Sequence, residues 1–219
     1  MSQSLKLGAI LFPGFEMLDL YGPLEMFGAV GKENLEICMV AEHAGPVHAS
    51  LGADGPTGPQ SMADYSFSSA PELDMLLMPG GAGTRQEIDN PVMLEFLRAR
   101  CAHAKWIATV CTGSALLAKT GLLDGHRATS NKQVFALATQ QSAQVTWVEA
   151  ARWVEDDRFF TSSGVTAGMD MSLALIARIW GEEAATQIAK YTEYTWQRDA
   201  DHDPFASELN ALARKLGMV

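Results

Sequence analysis

Apolar and polar positions along this chain follow two alternating patterns. Short apolar runs closed by Gly or Pro read as buried strands: Leu5 to Phe12, stopped by Pro13-Gly14; Leu35 to Ala41; Leu73-Asp-Met-Leu-Leu-Met78, stopped by Pro79; and Lys105 to Val110. Segments of helical spacing lie between them. Glu16 to Phe27 is helical in pattern but interrupted at Gly22-Pro23. Pro is tolerated in a first turn and disruptive inside a helix, so a helix is expected to start near Pro23. Asn90-Pro91 opens another, capped by Asn90 and running to about His103. Cys111 to Lys119 and Asn131 to Thr139 are also expected to be helical. Val145 to Val148, Arg152 to Val154 and Arg158 to Thr161 read as strands, with Asp156-Asp157 turning a hairpin between the last two. Val165 to Trp180 is apolar on nearly every face, as in a buried helix; after Gly181 a second helix is expected to end near Trp196. Residues 44 to 60, rich in Gly and Pro, read as turns and short irregular strands, and 198 to 219 as a tail or short helix.

Strands alternating with helices imply an α/β fold, flavodoxin-like and doubly wound: a mainly parallel sheet sandwiched by helices. The 219 residues suit one domain covering the whole chain. Such sheets carry their sites at the carboxyl ends of strands. Three candidate motifs fall at such ends.

Charge narrows the partners. A formal net charge of −10, with no Lys/Arg cluster, repels nucleic-acid phosphates and offers an anionic membrane no polybasic anchor. The first apolar run is too short to span a bilayer. The partner expected is therefore a small-molecule substrate, with no nucleic acid and no membrane. Cys38, Cys101 and Cys111 form neither a metal-ligand pair nor an even framework, which points to free thiols in a reducing, cytoplasmic compartment. His43, His48, His103, His126 and His202 are scattered without metal spacing, so no metal is expected.

The chemistry concentrates at Ile107-Ala-Thr-Val-Cys-Thr-Gly-Ser-Ala115, where an apolar strand meets a helix at Cys111. A side chain at such an elbow points out of the sheet edge on a strained backbone. The small residues from Thr112 to Ala115 allow close approach of a substrate. A helix N-terminus behind the cysteine favours a thiolate, so a depressed thiol pKa is expected. The plainer alternative is a small buried residue, as free cysteines often are.

These pieces form an ordered set: Leu11-Phe-Pro-Gly-Phe-Glu-Met-Leu-Asp-Leu-Tyr-Gly-Pro23, Leu77-Met-Pro-Gly-Gly-Ala-Gly83, Val110-Cys-Thr-Gly-Ser114, Thr120-Gly-Leu-Leu-Asp-Gly-His-Arg-Ala-Thr129 and Thr161-Ser-Ser-Gly-Val-Thr-Ala-Gly-Met-Asp170. In this order they resemble the ThiJ/PfpI (DJ-one) superfamily, and within it most closely the isonitrile hydratases. The resemblance implies a Cys111 nucleophile faced by Asp19, a general acid whose pKa a nearby thiolate and burial would raise. It further implies an oxyanion-type hole from the Gly81 and Thr112 amides, a catalytic Thr112 hydroxyl, no cofactor, and a homodimer. The apolar stretch 165 to 196 agrees with a subunit face. Read as residues alone, Asp19 is equally a helix-start cap, and Gly80-Gly81 a turn that permits chain reversal. Ser163 and Gly164 are a pocket floor or an N-cap.

The sequence also departs from common superfamily patterns. Thr112, not His, follows the cysteine, and Ala128-Thr-Ser-Asn-Lys132 carries Asn131 where many relatives carry His. Asn131 is no general base, which counts against protease and deglycase analogies. The activity implied is hydration of an isonitrile to an N-substituted formamide. The alternatives are a free-standing sensor, like the ligand-sensing half of AraC-type regulators, a redox-responsive stress protein, or a glyoxalase-like enzyme using the same cysteine.

Overall fold

The computed structural model describes residues 4–52 and 55–219, so part of the turn-rich stretch read from 44 to 60 lies outside it. The chain opens with β1 (Leu5–Ile10) and α1 (Met17–Gly28), then β2 (Leu35–Ala41) and a ribbon, β3 (Gly45–His48) with β4 (Gln60–Ala63). Next come β5 (Tyr65–Ser66), β6 (Met75–Met78), the one-turn α2 (Thr84–Glu87), α3 (Pro91–Cys101), β7 (Trp106–Thr109) and α4 (Gly113–Lys119). β8 (Arg127–Ala128), α5 (Phe135–Thr139) and β9 (Thr146–Trp147) precede the hairpin β10 (Trp153–Asp156) and β11 (Phe159–Ser162). The chain closes with α6 (Ala167–Trp180), α7 (Glu182–Tyr191), a 3-10 turn (Ala206–Glu208) and α8 (Ala211–Lys215).

Seven strands form the central sheet in the order β10-β11-β7-β6-β1-β2-β5. Every pairing is parallel except β10 with β11. β11, β7, β6 and β1 are buried along most of their length because both faces are covered. One helical set joins α1 to α6 and α6 to α7; the other groups α2, α3 and α5 around α4. Strand residues such as Leu7, Ile10, Leu76, Leu77 and Ile107 are fully buried between them.

Several boundaries differ from the sequence reading. The first helix begins at Met17, with Pro23 inside it. Pro23 leaves the Asp19 carbonyl without its helical donor, and tertiary packing compensates. Gly22 and Pro23 pack where α1 crosses α6 at Gly168 and Met169, too tight for an added Cβ at either glycine. The last long helix ends at Tyr191, short of Trp196, because Glu193 turns into the left-handed region (φ 52°). The chain then lays Tyr194 Oη and the Gln197 amide on the buried Asp170 carboxylate, at 3.0 and 2.9 Å. The segment 145–148 contributes only a two-residue bridge to β8, outside the main sheet. Much of the apolar run of α6 packs within the protomer against α1, α7 and the hairpin, while Ile179 and Trp180 at its end are only partly buried and Tyr191 of α7 is exposed.

A buried ion pair ties the C-terminal segment to this framework. Arg152 Nε donates to Asp170 Oδ2 at 2.7 Å, Nη2 donates to Thr166, and Asp203 lies 3.8 Å from Nη1. Farther on, the Asn210 and Ala213 amides donate to the carbonyls of Lys132 and Gln133 at 2.6 and 3.0 Å. No described helix is long and apolar enough to cross a membrane.

Candidate active site

Parallel pairing brings the carboxyl ends of β1, β6, β7 and β11 to one edge of the sheet. Each releases a short loop there. The loop after β7 carries Cys111, held at φ 59°, a left-handed backbone that costs a non-glycine residue about 1–2 kcal/mol. Its surroundings fix that conformation. The Cys111 amide donates to the carbonyls of Ser162 and Ser163, at 3.2 and 3.3 Å. Its carbonyl accepts from Ser114 Oγ (3.2 Å) and Ser130 Oγ (3.0 Å). Regular helix starts only at Gly113, so the cysteine stands before α4 rather than inside its first turn.

The sulfur faces three groups. Asn131 Nδ2 donates to Sγ at 3.2 Å. The Thr112 amide and the Asp19 carboxyl are its other near neighbours. Asp19, from α1, is fully buried; its Oδ2 accepts from the Gly80 amide at 2.9 Å, while Oδ1 has no hydrogen-bond partner of good geometry. The Thr112 hydroxyl accepts from the Gly81 amide at 3.1 Å and shares a 2.9 Å bond with Thr84 Oγ1. Ser163 contributes a carbonyl. Gly164 allows the closest approach, since a Cβ there would run into Asn131 Nδ2 and lie 3.0 Å from the sulfur. Gly81, at φ 133°, faces the Phe15–Glu16 backbone and has no room for a side chain.

The structure therefore gathers Asp19, Gly80, Gly81, Thr112, Ser163 and Gly164 around Cys111. Two details depart from the sequence reading. The Gly81 amide is engaged by the Thr112 hydroxyl, so it does not stand open to a substrate. The thiol is also not acidified. Burial pushes Cys111 well above the ordinary thiol value, the Asp19 charge adds to the rise, and the donors Thr112 and Asn131 only partly oppose it. The expected depression fails because Cys111 is 6% exposed and precedes the helix, so desolvation outweighs the nearby amides. Asp19 moves the same way: burial raises its carboxyl well above the usual range against the Gly80 amide, and Glu16 adds to the rise.

Asn131 and Thr84 were not among the candidates. The departure from the relatives' His marked the position of Asn131, yet an amide carries no chemical signature by itself; nothing in the sequence singles out Thr84. A cavity of about 410 Å³ opens at the carboxyl ends of β1 and β2, lined by Phe12, Glu42, Val47 and Met93 among others, but neither Cys111 nor Asp19 reaches it. Among the described residues no three His, Cys, Asp or Glu side chains converge as a metal site.

Residues 6–178 match the DJ-1/PfpI family. The chain belongs to that family. It is 32% identical over 191 residues to an isonitrile hydratase of Pseudomonas putida, covering 87% of this chain and 79% of that enzyme. It is also 35% identical over 203 residues to the HTH-type transcriptional regulator GbdR of Pseudomonas aeruginosa, covering 90% of this chain and 53% of the regulator, about half its length. Among solved structures, a ThiJ/PfpI family protein from Pseudomonas syringae superposes with a TM-score of 0.78 at 30% identity, covering 98% of this chain and 85% of that one. The DJ-1/PfpI fold is thus an α/β fold with a mainly parallel sheet flanked by helices, as the alternation of apolar runs implies.

Proposed function

We propose that this DJ-1/PfpI protein hydrates an isonitrile to an N-substituted formamide, without a cofactor, through Cys111. The observation that carries the reading is the burial of Cys111 beside Asp19, where desolvation raises the proton affinity of both groups. An isonitrile carbon bears a lone pair and is also electrophilic, so it takes up a proton and a nucleophile at one atom. Asp19 delivers its proton to that carbon as the Cys111 sulfur bonds to it, and the thiol proton passes to Asp19. The product is a thioimidate, R–N=CH–S–Cys111. Water then adds to the same carbon, with Asp19 and the Thr112 hydroxyl orienting it, and the nitrogen gains a proton. The C–S bond breaks, the sulfur recovers its proton, and R–NH–CHO leaves. A raised carboxyl pKa suits Asp19 to this acid role. Amides of Gly81 and Thr112 would serve developing negative charge once substrate displaces the Thr112 hydroxyl from Gly81, at about 3 kcal/mol each.

The 32% identity to an isonitrile hydratase over 87% of the chain supports the same activity. A homodimer in the cytoplasm completes the proposal. Its contact would draw on Leu18 and Tyr21 of α1 and Met62 of β4, large apolar side chains that stand exposed. Similarity to GbdR favours a second reading, in which the same site senses a small molecule.

The test incubates purified protein with a simple alkyl isonitrile and follows formamide, with Cys111→Ala and Asp19→Asn in parallel. Turnover lost in both variants supports the lyase reading. Saturable binding of the isonitrile without turnover in the unaltered protein would replace it with the sensor.

A further inference from the structure

Asn131 is oriented more strictly than an ordinary surface amide. Its Oδ1 accepts from the Gln133 and Val134 amides, at 2.9 and 3.1 Å. That double acceptance fixes which end is oxygen, because a flipped amide would turn NH2 groups against two N–H donors. Nδ2 is therefore forced toward Cys111 Sγ, 3.2 Å away. The close approach depends on Gly164, whose missing side chain leaves room for Nδ2.

The loop does not need this contact to hold its shape. Ser130 Oγ anchors it to the Cys111 carbonyl. Lys132 Nζ donates to Thr129 Oγ1 and the Ala151 carbonyl, both at 2.7 Å. The amides of Asn210 and Ala213 secure the Lys132 and Gln133 carbonyls from the C-terminal segment. An N–H aimed at a nucleophilic sulfur, on a loop already secured elsewhere, acts on the sulfur.

We propose that Asn131 is a catalytic residue, whose amide donates to Cys111 Sγ and stabilises the negative charge that the sulfur carries as its proton departs and again as it leaves the adduct. The amide takes no proton itself, so the thiol proton leaves only through Asp19. Among electrophiles, this favours those whose attacked atom accepts that proton over carbonyl compounds, which need a base to activate the following water. This substrate preference rests on the lyase reading; the contact with the sulfur does not.

Asn131→Asp is the discriminating variant. It keeps size and the acceptor for the Gln133 and Val134 amides but replaces the donor with an acceptor. Asn131→Ser, which keeps a short acceptor and does not reach the sulfur, provides a second route if the charged variant fails to fold. The titratable groups around the sulfur are Asp19 on α1 and, beyond it, Glu16; Lys132 is turned back to Thr129 and Ala151. Two readouts separate a chemical role from a structural one: the pH profile of Cys111 alkylation by iodoacetamide, checked by thiolate absorbance, and kcat against KM for an alkyl isonitrile. A hydrogen bond to a charged group predicts an alkylation rate lowered roughly 10- to 100-fold at fixed pH, with the profile moved to higher pH. Turnover should fall in kcat with KM nearly unchanged. Profiles that coincide with the unaltered protein in both folded variants would overturn the proposal, even if turnover fell. A shifted profile in a protein that turns over no isonitrile would uphold Asn131 and overturn the lyase reading.

Discussion

Asp19→Asn separates what the acid does for chemistry from what it costs the fold. Asn keeps the shape and still offers an oxygen to the Gly80 amide, 2.9 Å from the present Oδ2. It removes the ionisable proton from a side chain with no solvent exposure. Because burial raises this carboxyl in the folded protein, the native state retains a proton that the unfolded chain releases near the ordinary aspartate value of about 3.9. Between the unfolded and folded values the native state binds more protons, so stability falls as pH rises. The slope of this contribution approaches about 1.4 kcal/mol per pH unit and levels off above the folded value. Asn lacks the penalty entirely. The variant should therefore lose turnover yet become progressively more stable than the unaltered protein as pH rises above about 4, until the folded carboxyl itself titrates. Each kcal/mol should appear as roughly 2–4 °C in Tm for a chain of this size. Urea denaturation of both proteins across that range measures it, below the region where cysteines of the unfolded chain titrate. Other buried carboxyls, such as Asp170 and Glu87, cancel in the comparison. A stability difference independent of pH, or a variant that loses ground as pH rises, would refute a protonated Asp19.

Three further outcomes follow from the same geometry. Gly164→Ala places a methyl against Asn131 Nδ2 and the sulfur; turnover should fall at least tenfold, about 1.4 kcal/mol, with little change in Tm, as steady-state kinetics beside a melting curve would reveal. Asp170→Ala strands the buried Arg152 guanidinium and removes the acceptor for Tyr194 and Gln197; a loss of about 3–5 kcal/mol is expected in chemical denaturation, and less than 1 kcal/mol would deny the pair its structural weight. Thr84→Val breaks the 2.9 Å bond to the Thr112 hydroxyl while keeping volume. It should cost about 1 kcal/mol and lower kcat, and unchanged kinetics would remove the Thr112 hydroxyl from the proposed water-orienting role.

Much of the site was legible because it lies where apolar runs end. Cys111, Gly80 and Gly81 each follow a strand directly, and a parallel sheet brings such ends to one edge. The reading failed where long-range packing decided the outcome. Pro23 argued locally for a helix start, but the α1–α6 crossing accommodates it mid-helix. A helix dipole argued for an acidic thiol, whereas burial against Asp19 reverses the direction. Asn131 was noticed only as an absent histidine, because an amide's role depends on what it faces.

The four backbone attachments of Cys111, two through its amide and two through its carbonyl, come from three separate segments. Ser114 lies three residues on, Ser130 reaches in from the loop after β8, and Ser162 and Ser163 close from the end of β11. The nucleophile is thus suspended like a keystone from supports that can be altered one at a time. Such redundancy decouples the reactive atom from the pocket walls, so substrate range is free to drift through the surrounding loops while the reaction centre keeps its aim.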